Sequence, residues 1–211
     1  MALQPNQLPA LLTAIDQALA AEADTIAELD QAIGDGDHLD NLQRGLKALQ
    51  AEAPNWRDLT WPSAWREIGM VIMRSVGGAS GSLYASLFIA MSKATDADEL
   101  DLPILAHAFE QGVAAVKQRG RTEPGEKTMV DVLAPVAQAL SDGAAAHTAW
   151  PVLADQLLQI AEQGVEATRD MLATKGRASF LGERSLGHID AGAKTSALML
   201  TTLMQFDASQ A

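Results

Sequence analysis

Leu8, Leu11, Leu12, Ile15, Leu19, Ala23, Ile26, Leu29 and Ile33 fall mostly three and four residues apart, the spacing that lines side chains along one face of an α-helix. The alternation of apolar and polar residues that marks a half-buried strand never runs beyond about four residues anywhere in the chain. The opening segment is therefore expected to be one long amphipathic helix. The same period predicts further helices over about 38–51, from a Thr60 cap and Pro62 to Ser75, and along the face Leu83, Tyr84, Leu87, Phe88 and Met91. It continues over about 103–119, over about 128–140 with Pro135 inside, through 151–173, and over about 193–206. Hydrophobic residues make up 48% of the chain but aromatic residues only 4%, so Ala, Leu, Val and Met carry the apolar content, a mixture that suits helices better than sheets. No repeat or low-complexity linker interrupts the pattern. The expectation is a single all-α domain over residues 1–211 with seven or eight helices.

Charge and cysteine content narrow the function. Fifteen Lys and Arg stand against 27 Asp and Glu, a formal net charge of −12. Such a surface repels nucleic acid and anionic membranes, and an anionic ligand would need a local arrangement of cations. The absence of Cys excludes disulfides, thiolate metal sites and cysteine nucleophiles. The first residues lack the basic and apolar runs of a signal peptide, and no stretch approaches the roughly 18 apolar residues of a membrane span, so a cytoplasmic protein is expected.

Three connections are rich in Gly together with charge or hydroxyls. In Asp30-Gln31-Ala32-Ile33-Gly34-Asp35-Gly36-Asp37-His38, a continuous helix would put Asp35 about 140° round from Asp30. Gly34 and Gly36 free the chain to leave the helix, so Asp30, Asp35 and Asp37 can converge. Three carboxylates at one point call for a hard cation, Mg²⁺ or Ca²⁺. An EF-hand counted from Asp35 would need Gly and Glu where Asp40 and Leu46 stand. The plain alternative makes Asp37 the cap of the helix that begins near His38, with His38 itself either structural or an orienting group.

The second connection, Val76-Gly77-Gly78-Ala79-Ser80-Gly81, leads into an apolar helix, where free N–H groups form an anion site. The same glycines also permit a tight helix crossing. In the third, Lys175-Gly176-Arg177-Ala178-Ser179 precedes Gly182, Gly187 and Gly192. With Lys117, Arg119, Arg121 and Lys127, its Lys175, Arg177 and Arg184 place seven of the 15 cations in two short stretches, read as a local positive patch. Arg177 is the candidate to brace a transferring phosphoryl group. Gly120 to Thr128 nearly spells a phosphate-binding P-loop, but Glu126 separates Gly125 from Lys127 and no strand precedes it, so that fold is rejected.

In order along the chain, IGDGDHLDNLQRG, SVGGASGSLYASLF, RGRTEPGEKTMVDVLAPV and KGRASFLGERSLGHIDAGA together resemble the nucleotide-binding (L) subunit of dihydroxyacetone kinase. The resemblance implies a barrel of eight antiparallel helices with ADP or ATP and two Mg²⁺ at one end. It carries the metal-binding aspartates onto Asp30, Asp35 and Asp37, and the nucleotide contacts onto His38, Leu39, Asp40, Asn41, Ala79, Ser80, Gly120, Met129, Arg177, Asp190, Ala191 and Gly192. The sequence departs from the family at Leu39, Leu42 and Ala191, where Gly, Met and Pro are usual. The resemblance further implies a separate K subunit holding dihydroxyacetone, and a phosphohistidyl M subunit of the phosphotransferase system that rephosphorylates bound ADP. An ATP-exchanging kinase subunit is the alternative. A regulatory module docking on a transcription regulator is a reading of another class, and an Ala-rich bundle with an incidental Ca²⁺ loop would bind no nucleotide at all.

Overall fold

The computed structural model describes residues 4–95 and 100–206, and among them every regular element is helical. The opening periodicity yields two helices, α1 (Leu8–Ala21) and α2 (Ala23–Ile33), rather than one. The break is at Glu22, whose backbone leaves the helical region (φ −105°, ψ 14°) while its carboxylate meets Lys194 of the last helix at 3.4 Å. The bend keeps Leu19 and Ile26, both 0% exposed, on one core while both halves stay against that helix.

The remaining helices are α3 (His38–Glu52), α4 (Trp61–Ser75), α5 (Gly78–Lys93), α6 (Leu102–Gly120), α7 (Val130–Ala145), α8 (Trp150–Ala167) and α9 (Ala191–Gln205). Contacts run from α1 to α3, then through α4, α5, α6, α7 and α8 in turn to α9, and α9 returns to α1. The ring closes. With α1 and α2 counted as one bent helix it has eight members, as expected, and the connections between successive members make neighbours antiparallel. Its interior is one continuous apolar cluster drawn from every helix, including Val116, Val130 and Val132 at 0% exposure and the tilted pair Trp61 and Trp65 with centroids 5.4 Å apart. No helix among the described residues is long and apolar enough to cross a membrane.

Helix α7 runs five residues beyond its expected end near 140, to Ala145, and three further boundaries differ from expectation for identifiable reasons. Helix α7 begins at Val130 rather than Thr128, because the Asp131 carboxylate takes the Thr128 N–H at 2.7 Å and folds the preceding residues into a turn. Helix α8 stops at Ala167, six residues short of the expected end. There the Thr168 hydroxyl donates to Val165 O at 2.7 Å, and the Thr168 carbonyl accepts from Lys127 Nζ and, in a tighter turn, from the Met171 N–H at 3.2 Å. Leu172, placed inward by periodicity, is consequently 45% exposed. Helix α9 starts at Ala191, two residues early, because the Asp190 carboxylate caps it through the Ala193 N–H at 2.7 Å. Pro135 is accommodated inside α7. It has no N–H for the Asp131 carbonyl, and that carbonyl lies where any side chain on Gly164 of α8 would collide with it.

Candidate functional site

An up-and-down ring puts every second connection at the same end. The α2–α3, α4–α5, α6–α7 and α8–α9 connections share one end of this barrel, and they include the three Gly-rich segments of the sequence. Between them lies a cleft of about 750 Å³.

Asp30 stands in the last turn of α2, only 9% exposed, whereas Asp35 and Asp37 are exposed in the loop that follows. The chain turns back at Gly34, where a Cβ would overlap the Asp30 carboxylate, and at Gly36, whose φ of 78° suits glycine. One carboxylate oxygen from each aspartate then lies within 4.8 Å of the others. Asp37 occupies the N-cap position of α3, yet its side chain caps nothing; Asp30 accepts the His38 N–H instead, at 3.1 Å. The capping alternative for Asp37 is thereby corrected. An all-oxygen set this close fits a hard divalent cation; among the described residues its one ion pair is with Arg177, whose Nε meets Asp35 at 2.8 Å.

Across the cleft, α5 begins at Gly78 with φ 68° and no capping side chain, so its first N–H groups remain available beside Ala79 and Ser80, which line the cleft. Both readings of these glycines hold at once. Side chains on Gly77 and Gly81 would collide with Asn41 and with the Val76 carbonyl, so the segment is also a close crossing.

Of the residues singled out from sequence, Asp30, Asp35, Asp37, His38, Ala79, Ser80, Gly120, Met129, Arg177, Asp190, Ala191 and Gly192 are brought together around this cleft. Leu39, Asp40 and Asn41 stand off its wall. Leu39 packs on the barrel core, Asp40 is exposed in the first turn of α3, and Asn41 is buried beneath Gly77, where Arg44 donates to its side-chain carbonyl. His38 is half-buried with Nε2 2.9 Å from Thr195 Oγ1, and burial lowers its pKa despite three nearby aspartates, which favours a neutral ring. His188 is exposed and contributes its main-chain carbonyl rather than its imidazole. Burial pushes the Asp190 carboxyl up to about 6, against the Ala193 N–H and the nearby Lys127 charge.

Of the seven clustered cations, Arg119, Lys127, Lys175 and Arg177 do line the cleft, but most of the cluster is already paired. Lys117 pairs with Glu123 at 2.6 Å, Lys175 with Glu126 at 3.4 Å and Arg177 with Asp35, while Lys127 is 1% exposed and faces carbonyls. Sequence spacing brings like charges together but does not show which carboxylates face them. Two further residues at the cleft escaped the sequence reading. Thr195 holds His38 from α9, a contact between positions 157 apart, and Phe180 projects at the rim with 82% of its surface exposed. No local pattern announces either.

Glu126, read only as the residue that spoils a P-loop, joins two cleft loops. Its carboxylate accepts from Glu123 N at 2.7 Å and from Thr174 Oγ1 at 2.8 Å, and these bonds hold its pKa down to about 2. A depressed carboxyl stabilises the fold above its ordinary value and loses that effect as pH falls through the folded-state value. Glu126→Gln is expected to lower the melting temperature at pH 7 by about 2–4 °C, roughly 1 kcal/mol for a chain of this size. The gap from the parent should narrow as pH falls from about 4.5 towards 2, read by thermal denaturation across that range; a gap independent of pH would refute the assignment.

Comparison with known proteins places these features in context. Residues 32–205 match the DAK2 domain. The chain is 40% identical over 184 residues to the ADP-binding subunit DhaL of PEP-dependent dihydroxyacetone kinase 1 of Listeria innocua, covering 87% of each chain. It is 38% identical over 204 residues to the ADP-binding subunit DhaL of the PEP-dependent dihydroxyacetone kinase of Escherichia coli, covering 96% of this chain and 97% of that one. Its fold is similar to the crystal structure of the dihydroxyacetone kinase from C. freundii in complex with AMP-PNP and Mg²⁺. That similarity has a TM-score of 0.73 at 20% identity and covers 97% of this chain but 34% of the larger one.

Proposed function

The chain belongs to the DAK2-domain family, and from that premise we propose that it is the nucleotide-carrying subunit of a dihydroxyacetone kinase, holding ADP or ATP in the cleft at the end of the barrel. One observation carries the reading above the others: three converging carboxylates face an uncapped, glycine-started helix across a single cleft. An acidic protein can hold a polyphosphate in this way. Two Mg²⁺ would be held by Asp30, Asp35 and Asp37 and would supply the charge neutralisation that three carboxylates and a diphosphate require.

The protein's own groups bind and orient. The first N–H groups of α5 at Gly78, Ala79 and Ser80 take the terminal phosphates, and the start of α9 at Asp190 to Gly192 forms another wall with Met129 and Gly120. Arg177 stands at the aspartate end, where the phosphoryl group departs. In the forward reaction the bond from the γ-phosphorus to the ADP oxygen breaks and a bond to a hydroxyl oxygen of dihydroxyacetone forms, with loss of the hydroxyl proton. The ketose is held on a separate K subunit; the exposed Phe180 at the cleft rim suits a mouth that closes against a protein surface. Bound ADP then regains a phosphoryl group from a phosphohistidyl M subunit, and the PEP-dependent kinases named by the relatives support this branch over free ATP exchange.

The test is direct. Purified protein is denatured and the released nucleotide is quantified. About one ADP per chain is the expected result, and protein emptied of nucleotide by purification alone would sink the carrier reading in favour of an ATP-exchanging subunit.

A further inference from the structure

Among the described residues Lys127 is the one buried cation, at 1% exposure. Its backbone stands at φ 61°, a left-handed conformation unusual for a lysine. The Asp131 carboxylate forces that turn by accepting the N–H groups of Gly125 at 2.5 Å and Thr128 at 2.7 Å on either side of it. The consequence is that the side chain points inward. Its ammonium donates to the carbonyl of Thr168, just past the end of α8, at 2.5 Å, and to the carbonyl of His188, two residues before the α9 cap. Thr168 completes the link: its hydroxyl accepts the Asp190 N–H at 3.0 Å. Asp190, Ala191 and Gly192 follow directly and line the cleft.

We propose that Lys127 is a positioning residue for the nucleotide cleft, a cationic peg that fixes the start of α9 by tying the carbonyls of Thr168 and His188 together without itself touching phosphate. The inference rests on the nucleotide reading of the cleft and adds a residue that its site assignment does not contain. The near-P-loop sequence around Lys127 invites the opposite view, that the ammonium binds phosphate; the residue borders the cleft, but it is 1% exposed and two of its three N–H donors are given to main-chain carbonyls. A side chain of similar volume without the charge would leave the His188 carbonyl without its donor and the Thr168 carbonyl with only the Met171 N–H at 3.2 Å, and the α9 start would loosen. A wall displaced by even about 1 Å is enough to weaken ligand alignment markedly.

The chain has no Cys, so Lys127→Cys introduces a unique thiol. Alkylating it in denatured protein with 2-bromoethylamine and refolding restores an ammonium at nearly the original length. Parent carried through the same treatment is the control, and Lys127→Met is a variant that needs no refolding. Two readouts apply: amide hydrogen exchange across 188–193 without nucleotide, and titration with a fluorescent ADP in the presence of Mg²⁺. Exchange at least tenfold faster and ADP binding about tenfold weaker are expected in Lys127→Cys and Lys127→Met, with both recovered on aminoethylation. Parent-like exchange in Lys127→Met, or a loss that the restored ammonium does not recover, would overturn the proposal. If the parent itself bound no ADP, the nucleotide reading would fail, while the exchange measurement would still decide whether Lys127 pins α9.

Discussion

Asp37→Asn is expected to weaken Mg²⁺-dependent ADP binding by about 100-fold or more while leaving the apo protein at least as stable as the parent. The two halves of this result have separate physical origins. Asp37 is exposed, and although it sits at the N-cap position of α3 its side chain makes no capping bond. The isosteric amide therefore removes no intramolecular partner, and surface changes of this kind move stability by no more than about 0.5 kcal/mol. One of three carboxylates within 4.8 Å of one another has lost its charge, so repulsion in the apo state falls. The same change removes a hard anionic ligand where a divalent cation would sit. Asp30→Asn is a poorer probe, since Asp30 is largely buried and takes the His38 N–H that starts α3. Calorimetric titration with ADP, with and without Mg²⁺, together with apo melting temperatures would decide. Unchanged affinity in Asp37→Asn would remove the basis of the cation site.

How far the sequence anticipated the molecule depends on the range of the interaction concerned. Helices follow from periodicity because each apolar face is a local pattern, and the period correctly places Leu19, Ile26, Leu153 and Leu157 inside. The ends of those helices do not follow. The stop of α8 at Ala167 depends on a lysine 41 positions away, and the bend at Glu22 has a partner in α9. In the site, the glycines at 34 and 36 announced that three aspartates within eight residues would meet, and they do. The cations were legible only as a cluster. Their neutralisation by Glu123, Glu126 and Asp35, and the disappearance of Lys127 into the interior, are pairings that spacing along the chain does not encode. Lys127 and Glu126 illustrate the point from the other side: they drew notice as a failed phosphate motif, and their roles lie in holding loops together.

The ion pair between Arg177 and Asp35 supports the second large effect. With 70% of its side chain exposed, Arg177 sits in a contact that solvent screens strongly, so the pair at 2.8 Å contributes at most about 1 kcal/mol to folding and opens readily. A divalent cation held by Asp35 would compete for the same oxygens and repel the guanidinium, leaving it free to turn into the cleft it already lines. Under the proposed function it would there face the phosphoryl group, which carries most of the charge in a loose transition state. Arg177→Gln is accordingly expected to lower phosphoryl transfer in the reconstituted kinase by about 10²–10³-fold in kcat, with ADP retention reduced far less and the melting temperature nearly unchanged. The contrast with Asp37→Asn is the discriminating feature, because one variant loses the nucleotide and the other keeps it but transfers slowly. Single-turnover transfer from the phosphorylated nucleotide form, measured beside retained nucleotide, separates the two. A parent-like transfer rate in Arg177→Gln would confine the guanidinium to offsetting the repulsion among the aspartates in the apo state.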